Sequence, residues 1–421
     1  MSIPEDSTPS SAVAAPTTWL QRLGLNRSIL AVLVAICGLG LAEEVWRNFL
    51  AIYLNLKIDD LSRAVGYMGV FSCVLNLFEG CAYIAGGMLS HRLGPRIALV
   101  LSAAPMACGF ALMLFASEPW MVVLGAILMT NWEPISVPAT YEIMGSEVPK
   151  ERRTVAFAVQ SIQKRLPKVI GPLLGTAVFA AIGYWMNLTI AFALVGISVI
   201  LLASLSKSMK PKSLTAEVPV RDVIKNMPKD VKLLLTAEIF IRWSDWFVRD
   251  FAALYVVYSL GVDKAKWGFF PAITSFVALI TYIPIGKLVD RSSSPRPYIG
   301  LTFFLFALFP FCLVLLPKTG LPLTAAVAIA FAINGLREIG EPARKAYITA
   351  AFPKEVRARA VGLYWGLRSF AFCPAPLVAW WLWEKVGPDN TFLIGGCFGL
   401  LGTVWYAAQS TWLSQARTKT G

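Results

Sequence analysis

Histidine is almost absent, with His91 the single one in 421 residues. A histidine-built metal centre is therefore excluded, and no Ser/His/Asp catalytic set is credible. Charge is sparse too: Asp, Glu, Lys and Arg make up 15% of the chain, against about 25% in soluble domains. So little charge excludes a disordered or nucleic-acid-binding chain and speaks against a soluble enzyme. The seven cysteines (37, 73, 81, 108, 312, 373 and 397) show no C-x-x-C spacing and all fall in apolar stretches. They read as small apolar filler, not as a metal or redox motif. A phosphate-cradling G-x-x-x-x-G-K-[ST] loop is missing as well, because Gly286-Lys287 is followed by Leu288 and lacks the earlier glycine. No cofactor, metal site or catalytic residue is called for.

Apolar residues, by contrast, make up 57% of the chain. They gather into long runs, each near the roughly 20 residues that a membrane-crossing helix needs. Twelve spans are expected at about 28–54, 64–89, 95–117, 119–146, 154–181, 185–205, 232–259, 266–288, 297–316, 321–350, 358–382 and 389–411. The expected organisation is a disordered tail (1–27), a six-helix bundle (28–205), a polar linker (206–231), a second six-helix bundle (232–411) and a short tail (412–421). The first tail is rich in Ser, Pro, Ala and Thr, and it does not read as a cleaved signal peptide.

The net charge of +13 is unevenly placed. One set of loops, with both termini, holds 22 Lys and Arg; the alternate loops hold 6. Under the positive-inside rule this predicts an inner or plasma membrane protein with both termini and the linker in the cytoplasm. The positive charge is then a topology signal and calls for no nucleic-acid partner.

The two halves are related. Shifted by 202 positions, Arg47-Asn48-Phe49-Leu50-Ala51-Ile52-Tyr53 lies over Arg249-Asp250-Phe251-Ala252-Ala253-Leu254-Tyr255, and Glu43 lies over Asp245. Shifted by 204, Pro138-Ala139 lies over Pro342-Ala343, Lys164 over Arg368 and Pro172-Leu173 over Pro376-Leu377. Parallel six-span repeats are a transporter design. After span 2 the chain reads Gly87-x-x-x-His91-Arg92-Leu93-Gly94-Pro95-Arg96, and after span 8 Gly286-x-x-x-Asp290-Arg291.

These loops and the repeat together resemble the major facilitator superfamily over essentially the whole length. The family loop reads G-x-x-x-D-R-x-G-R, so His91 stands where an Asp is expected. The resemblance implies a gating role for Gly87, Arg92, Gly286, Asp290 and Arg291. It also implies that spans 1, 4, 7 and 10 line a central cavity, with 2, 5, 8 and 11 between the halves. Gly171-Pro172-Leu173-Leu174-Gly175 is similar to part of the drug-antiporter pattern of span 5, whose further glycines and span-4 arginine are missing here. Arg47 to Leu54 is similar to the span-1 arginine region of organophosphate/phosphate antiporters.

Ten basic and ten acidic residues lie inside the spans. At about 2.5–3.5 kcal/mol for a charge at a helix centre, they must mostly face one another or a wet cavity. Glu238, Arg242, Asp245 and Arg249 form one stripe of span 7, and Arg337, Glu341 and Arg344 one of span 10. For Arg47 and Arg249 two readings stand: same-helix pairs with Glu43 and Asp245, or a symmetric grip on an anion. Lys164 and Arg368 are repeat-related cations with no acid one turn away. Glu133 overlies Arg337 under the shift, which suggests a lock across the halves or proton coupling.

The sequence thus predicts an all-α integral membrane protein of twelve helices in two pseudo-symmetric bundles. It is expected to be a monomeric secondary transporter working by alternating access in the lipid bilayer. The expected solute is small and anionic, bound by Arg47, Arg249, Lys164 and Arg368. Coupling to protons or a counter-ion would run through Glu43, Asp245 or Glu133, with Arg337 and Glu341 in the charge network. The alternatives are a drug or amphipath exporter of the same superfamily and a non-transporting receptor or scaffold.

Overall fold

The computed structural model describes residues 27–93, 95–130, 132–134, 136, 153–204, 225, 227–292, 294, 296–352 and 357–418. Several stretches of side chain within these helices, 83–93, 153–162 and 357–359 among them, lie outside the description. Helix falls in every one of the twelve expected ranges. Among the described residues, six helices are long and apolar enough to cross a membrane by length and composition.

Span 1 is made of α1 (Arg27–Arg47) and α2 (Leu50–Ile58), and span 2 is α3 (Leu61–Leu93). Then follow α4 (Pro95–Leu114), α5 (Pro119–Thr130), α6 (Arg153–Ala181) and α7 (Tyr184–Ser204). The second half opens with α8 (Lys229–Val248), which continues as a helical turn at Ala252–Leu254 and a π-helical turn at Tyr255–Ser259. Next come α9 (Phe269–Asp290) and α10 (Arg296–Leu315). Span 10 is split into α11 (Leu323–Leu336) and α12 (Glu341–Ala350), and span 11 into α13 (Arg357–Phe372) and α14 (Ala375–Val386). The last helix is α15 (Pro388–Thr418).

The repeat shows in the breaks. Helix α1 stops at Arg47 and resumes at Leu50; α8 stops at Val248 and helix resumes at Ala252. A break frees backbone groups that the apolar surroundings cannot satisfy. The Asn48 carbonyl is accordingly met by the Trp267 indole N–H at 2.6 Å, a donor from the other half.

Within each half the packing is repeated: α1 lies on α6 and α7, and α8 on α15, while α4 pairs with α5 and α10 with α11. Among the described residues the halves meet chiefly along two seams, α3 against α13 and α14, and α6 against α9. These seams are made by spans 2, 5, 8 and 11. The outer faces are apolar, with Ile200 on α7 and Val404 on α15 exposed at 70% and 66%. Such faces suit lipid, since an exposed apolar surface of this kind is unfavourable in water.

Candidate functional site

A cavity of about 440 Å³ lies between the halves. Its wall is built mainly from spans 1, 2, 4, 5, 7, 8, 10 and 11, with Phe309 added from span 9, and the first and seventh contribute at their breaks. Eight carboxylate residues line it (Glu43, Glu44, Glu79, Glu133, Asp245, Asp250, Glu338, Glu341) and six basic ones (Arg47, Lys168, Arg242, Arg249, Arg337, Arg368). Aromatic rings fill much of the remainder, including Trp246, Trp267, Trp365 and Phe372.

The ion pairs decide which charges stay available. Arg47 folds back onto Glu43 at 2.6 Å, and Trp132 donates its indole N–H to the other Glu43 oxygen at 2.9 Å. The repeat-related pair behaves differently. Asp245 is held by Arg337 from span 10 at 2.6 Å and by Arg242 at 3.3 Å, and both arginines lie over the Phe306 ring. Arg249 is left exposed, its guanidinium 5.0 Å from the Trp246 ring centre, with no carboxylate within 4 Å among the described residues.

The cause is visible in the repeat. Position 337 carries Arg, whereas its counterpart, position 133, carries Glu. Arg337 occupies Asp245 and so releases Arg249, while no described arginine on span 4 competes for Glu43. The Glu133–Arg337 lock, one of the two readings open for Glu133, is not among the described ion pairs. Glu133 instead lies 3.9 Å from Lys164.

Deeper in the second half, Glu238 is fully buried between Arg344 at 2.5 Å and Arg368 at 3.6 Å. Arg344 also pairs with Glu341. Arg368 lies 4.3 Å from the Trp365 ring centre. Of the four expected binding cations, Arg47 and Arg368 thus have carboxylate partners, and Lys164 lies in a small side recess with Glu133. Of these four, Arg249 alone faces the cavity without one. Lys168, one turn beyond Lys164, also lines the cavity with no carboxylate within 4 Å among the described residues.

Three carboxylates in the wall have no basic group within 4 Å among the described residues: Glu44, Glu79 and Asp250. Glu44 accepts a hydrogen bond from Asn48 at 3.1 Å, and Asp250 one from Ser72 at 2.5 Å, across the two halves. Asp250 is the residue that sequence reasoning passed over. The 202-residue shift sets it over Asn48, a change from amide to acid at a helix break, and that was the available signal. The gating loops are described only in part. Arg291 is exposed on a turn after α9, whereas Gly87, Arg92, Gly286 and Asp290 lie outside the residues whose side chains are described.

A charge-lined cavity between two pseudo-symmetric helical halves, with apolar outer faces, defines a multi-pass membrane carrier of small solutes. The chain belongs to the Major Facilitator Superfamily, whose family model matches residues 24–251 and 234–419. It is 24% identical to a Na(+), Li(+), K(+)/H(+) antiporter of Planococcus maritimus over 428 residues, covering 90% of this chain and 95% of the other. It is 23% identical to the multidrug resistance protein MdtH of Shigella boydii serotype 4 over 356 residues, covering 83% and 79%. The fold is shared with a POT family transporter crystallised with 5-aminolevulinic acid, at TM-score 0.75 and 13% identity over 90% of this chain and 95% of that one. The protein is therefore a secondary transporter and not an enzyme.

Proposed function

We propose that this chain moves a small organic cation with an aromatic or apolar body, by alternating access coupled to protons. The observation that carries this reading is the charge balance of the cavity wall. Eight carboxylates face six basic groups, and three of the eight have no basic partner within 4 Å among the described residues. Aromatic rings beside them suit a cation, which is attracted to the face of an indole or phenyl ring by about 0.5–2 kcal/mol. The anionic solute expected from the sequence rested on unpaired cations outnumbering unpaired acids, and the described ion pairs favour the reverse.

Asp250 and Glu79 are the coupling candidates this reading prefers to Glu43 and Asp245. Protonating Asp245 would strand Arg337 and Arg242 without a partner. Protonating Asp250 breaks no described ion pair, because its one described hydrogen bond is to the Ser72 hydroxyl. That contact joins the halves, so loss of charge at Asp250 would act directly on a link between them that alternating access must loosen. Cytoplasmic placement of both termini and a gating role for Gly87, Arg92, Gly286, Asp290 and Arg291 belong to the same proposal. They are supported by the Lys/Arg bias and by the family loops.

A second reading is favoured by the two wall cations without a carboxylate within 4 Å among the described residues, Arg249 and Lys168. Arg249 offers an exposed guanidinium over Trp246 with no acid within 4 Å among the described residues, a geometry that suits a carboxylate or phosphate. Ligand-induced thermal stabilisation separates the two. Under the main reading, methyl viologen and tetraphenylphosphonium stabilise the purified protein, and Glu79→Gln or Asp250→Asn removes the effect. Stabilisation by inorganic phosphate or benzoate that is lost in Arg249→Gln would replace it with the second.

A further inference from the structure

The seam between α3 and the α13–α14 segment is lined on the α3 side by small residues. Ser62, Gly66, Gly69, Cys73 and Gly80 recur at intervals of three, four or seven, which keeps them on one helix face. Ser62 donates to Glu384 at 2.8 Å. Gly66 and Gly69 receive the Trp380 side chain so closely that a Cβ at either would lie 3.0 Å from it. Gly80 receives Phe370 in the same way. In the middle of this face Cys73 meets Cys373, sulfur to sulfur at 3.4 Å, and the Cys373 thiol also lies 3.2 Å from the Cys73 carbonyl. Both cysteines are free thiols and both are half-buried.

We propose that Cys73 and Cys373 are a modification site: a thiol pair that peroxides or small disulfides oxidise to an inter-half disulfide, stapling this seam. They lie 300 positions apart in sequence, one in each half. Their sulfurs already touch at 3.4 Å, so closing to a disulfide bond asks for only a short further approach. With hydrogen peroxide as oxidant, one thiol attacks a peroxide oxygen; the O–O bond breaks, and a sulfenic acid and one water result. The second thiol attacks that sulfur, the S–S bond forms, and the sulfenic oxygen leaves as a second water. Two thiols lose two protons and two electrons, and the peroxide is reduced to two waters. A dithiol reductant reverses the step by exchange. The bond would form in the middle of a seam whose close glycine contacts lie on either side of it, and so would hold the packing that already exists. That the staple arrests the cycle rests on the alternating-access reading; that the bond forms does not.

The test uses the full chain with a protease site inserted in the 206–231 linker and Cys37, Cys81, Cys108, Cys312 and Cys397 replaced by Ala. After peroxide treatment and cleavage, the two fragments should run as one species without reductant and as two with dithiothreitol. Cys73→Ala or Cys373→Ala should leave two fragments throughout. Hydrogen exchange of residues 61–82 should slow at least tenfold in the oxidised protein and recover on reduction. Fragments that separate after peroxide, with both thiols intact or carried to sulfinic acid, would overturn the pair. A disulfide that forms without slowing exchange would overturn the staple.

Discussion

Glu238→Gln is expected to be among the most damaging single changes in the second half. Its carboxylate is 0% exposed and sits between Arg344 and Arg368, whose side chains are 2% and 6% exposed. Neutralising it leaves Arg344 with Glu341, but among the described residues Arg368 then keeps only ring contacts, at 4.3 Å to Trp365 and 5.9 Å to Phe372. Stranding a buried charge in this way costs about 3–5 kcal/mol. At roughly 2 °C per kcal/mol for a large chain, the apparent melting temperature should fall by about 6–10 °C. Glu341→Gln is the control, because Arg344 then keeps Glu238; its cost should be near 1 kcal/mol, about the net worth of one hydrogen bond. The assay is monodisperse protein remaining after stepwise heating, read by fluorescence-detected size exclusion. Adding Arg368→Met to Glu238→Gln removes the stranded charge and should recover several degrees. Equal losses for Glu238→Gln and Glu341→Gln, or no recovery in the double variant, would refute the reasoning.

Arg47→Gln and Arg249→Gln should differ although the repeat relates them. The first strands Glu43 and lowers the melting temperature by several degrees, while the second removes an arginine without a carboxylate partner and shifts it by less than about 2 °C; the same heating assay checks both. Gly268→Val should prop apart the α6–α9 seam, because a Cβ there runs into the Pro172 carbonyl and the Thr176 hydroxyl. Cysteine-accessibility labelling from the two membrane sides should then show a shift toward the form open at that seam, and an unchanged pattern would remove Gly268 from the closure. Tags at both termini and at Ser213 should all report from the cytoplasmic side, and one reporting from the opposite side breaks the charge-bias map.

Much of the fold was legible because hydropathy and the repeat are one-dimensional signals. Helix falls in all twelve expected ranges, and the stretches that the 202-residue shift aligns both carry a break, after Arg47 and after Val248, where the sequence was read as two continuous spans. The charge stripes on spans 7 and 10 were also visible as spacing. What spacing could not supply was the choice of partner. Asp245 lies one turn from Arg249, which favours a same-helix pair, but Arg337 arrives from a helix 92 positions away and displaces it. Tertiary reach decided that contest, and it changed which arginine is available to a solute. Asp250 was missed for a related reason. Its interest comes from Ser72, a neutral residue 178 positions distant, and no periodicity links the two.

The most direct test of the transport reading is methyl viologen uptake into proteoliposomes under an imposed pH gradient, with the membrane potential clamped at zero. Methyl viologen should accumulate in the acidic lumen above protein-free liposomes, with uptake reduced at least tenfold by Glu79→Gln and by Asp250→Asn and retained in Arg249→Gln. No uptake above the protein-free level, or uptake that survives both carboxylate changes and fails in Arg249→Gln, would contradict it.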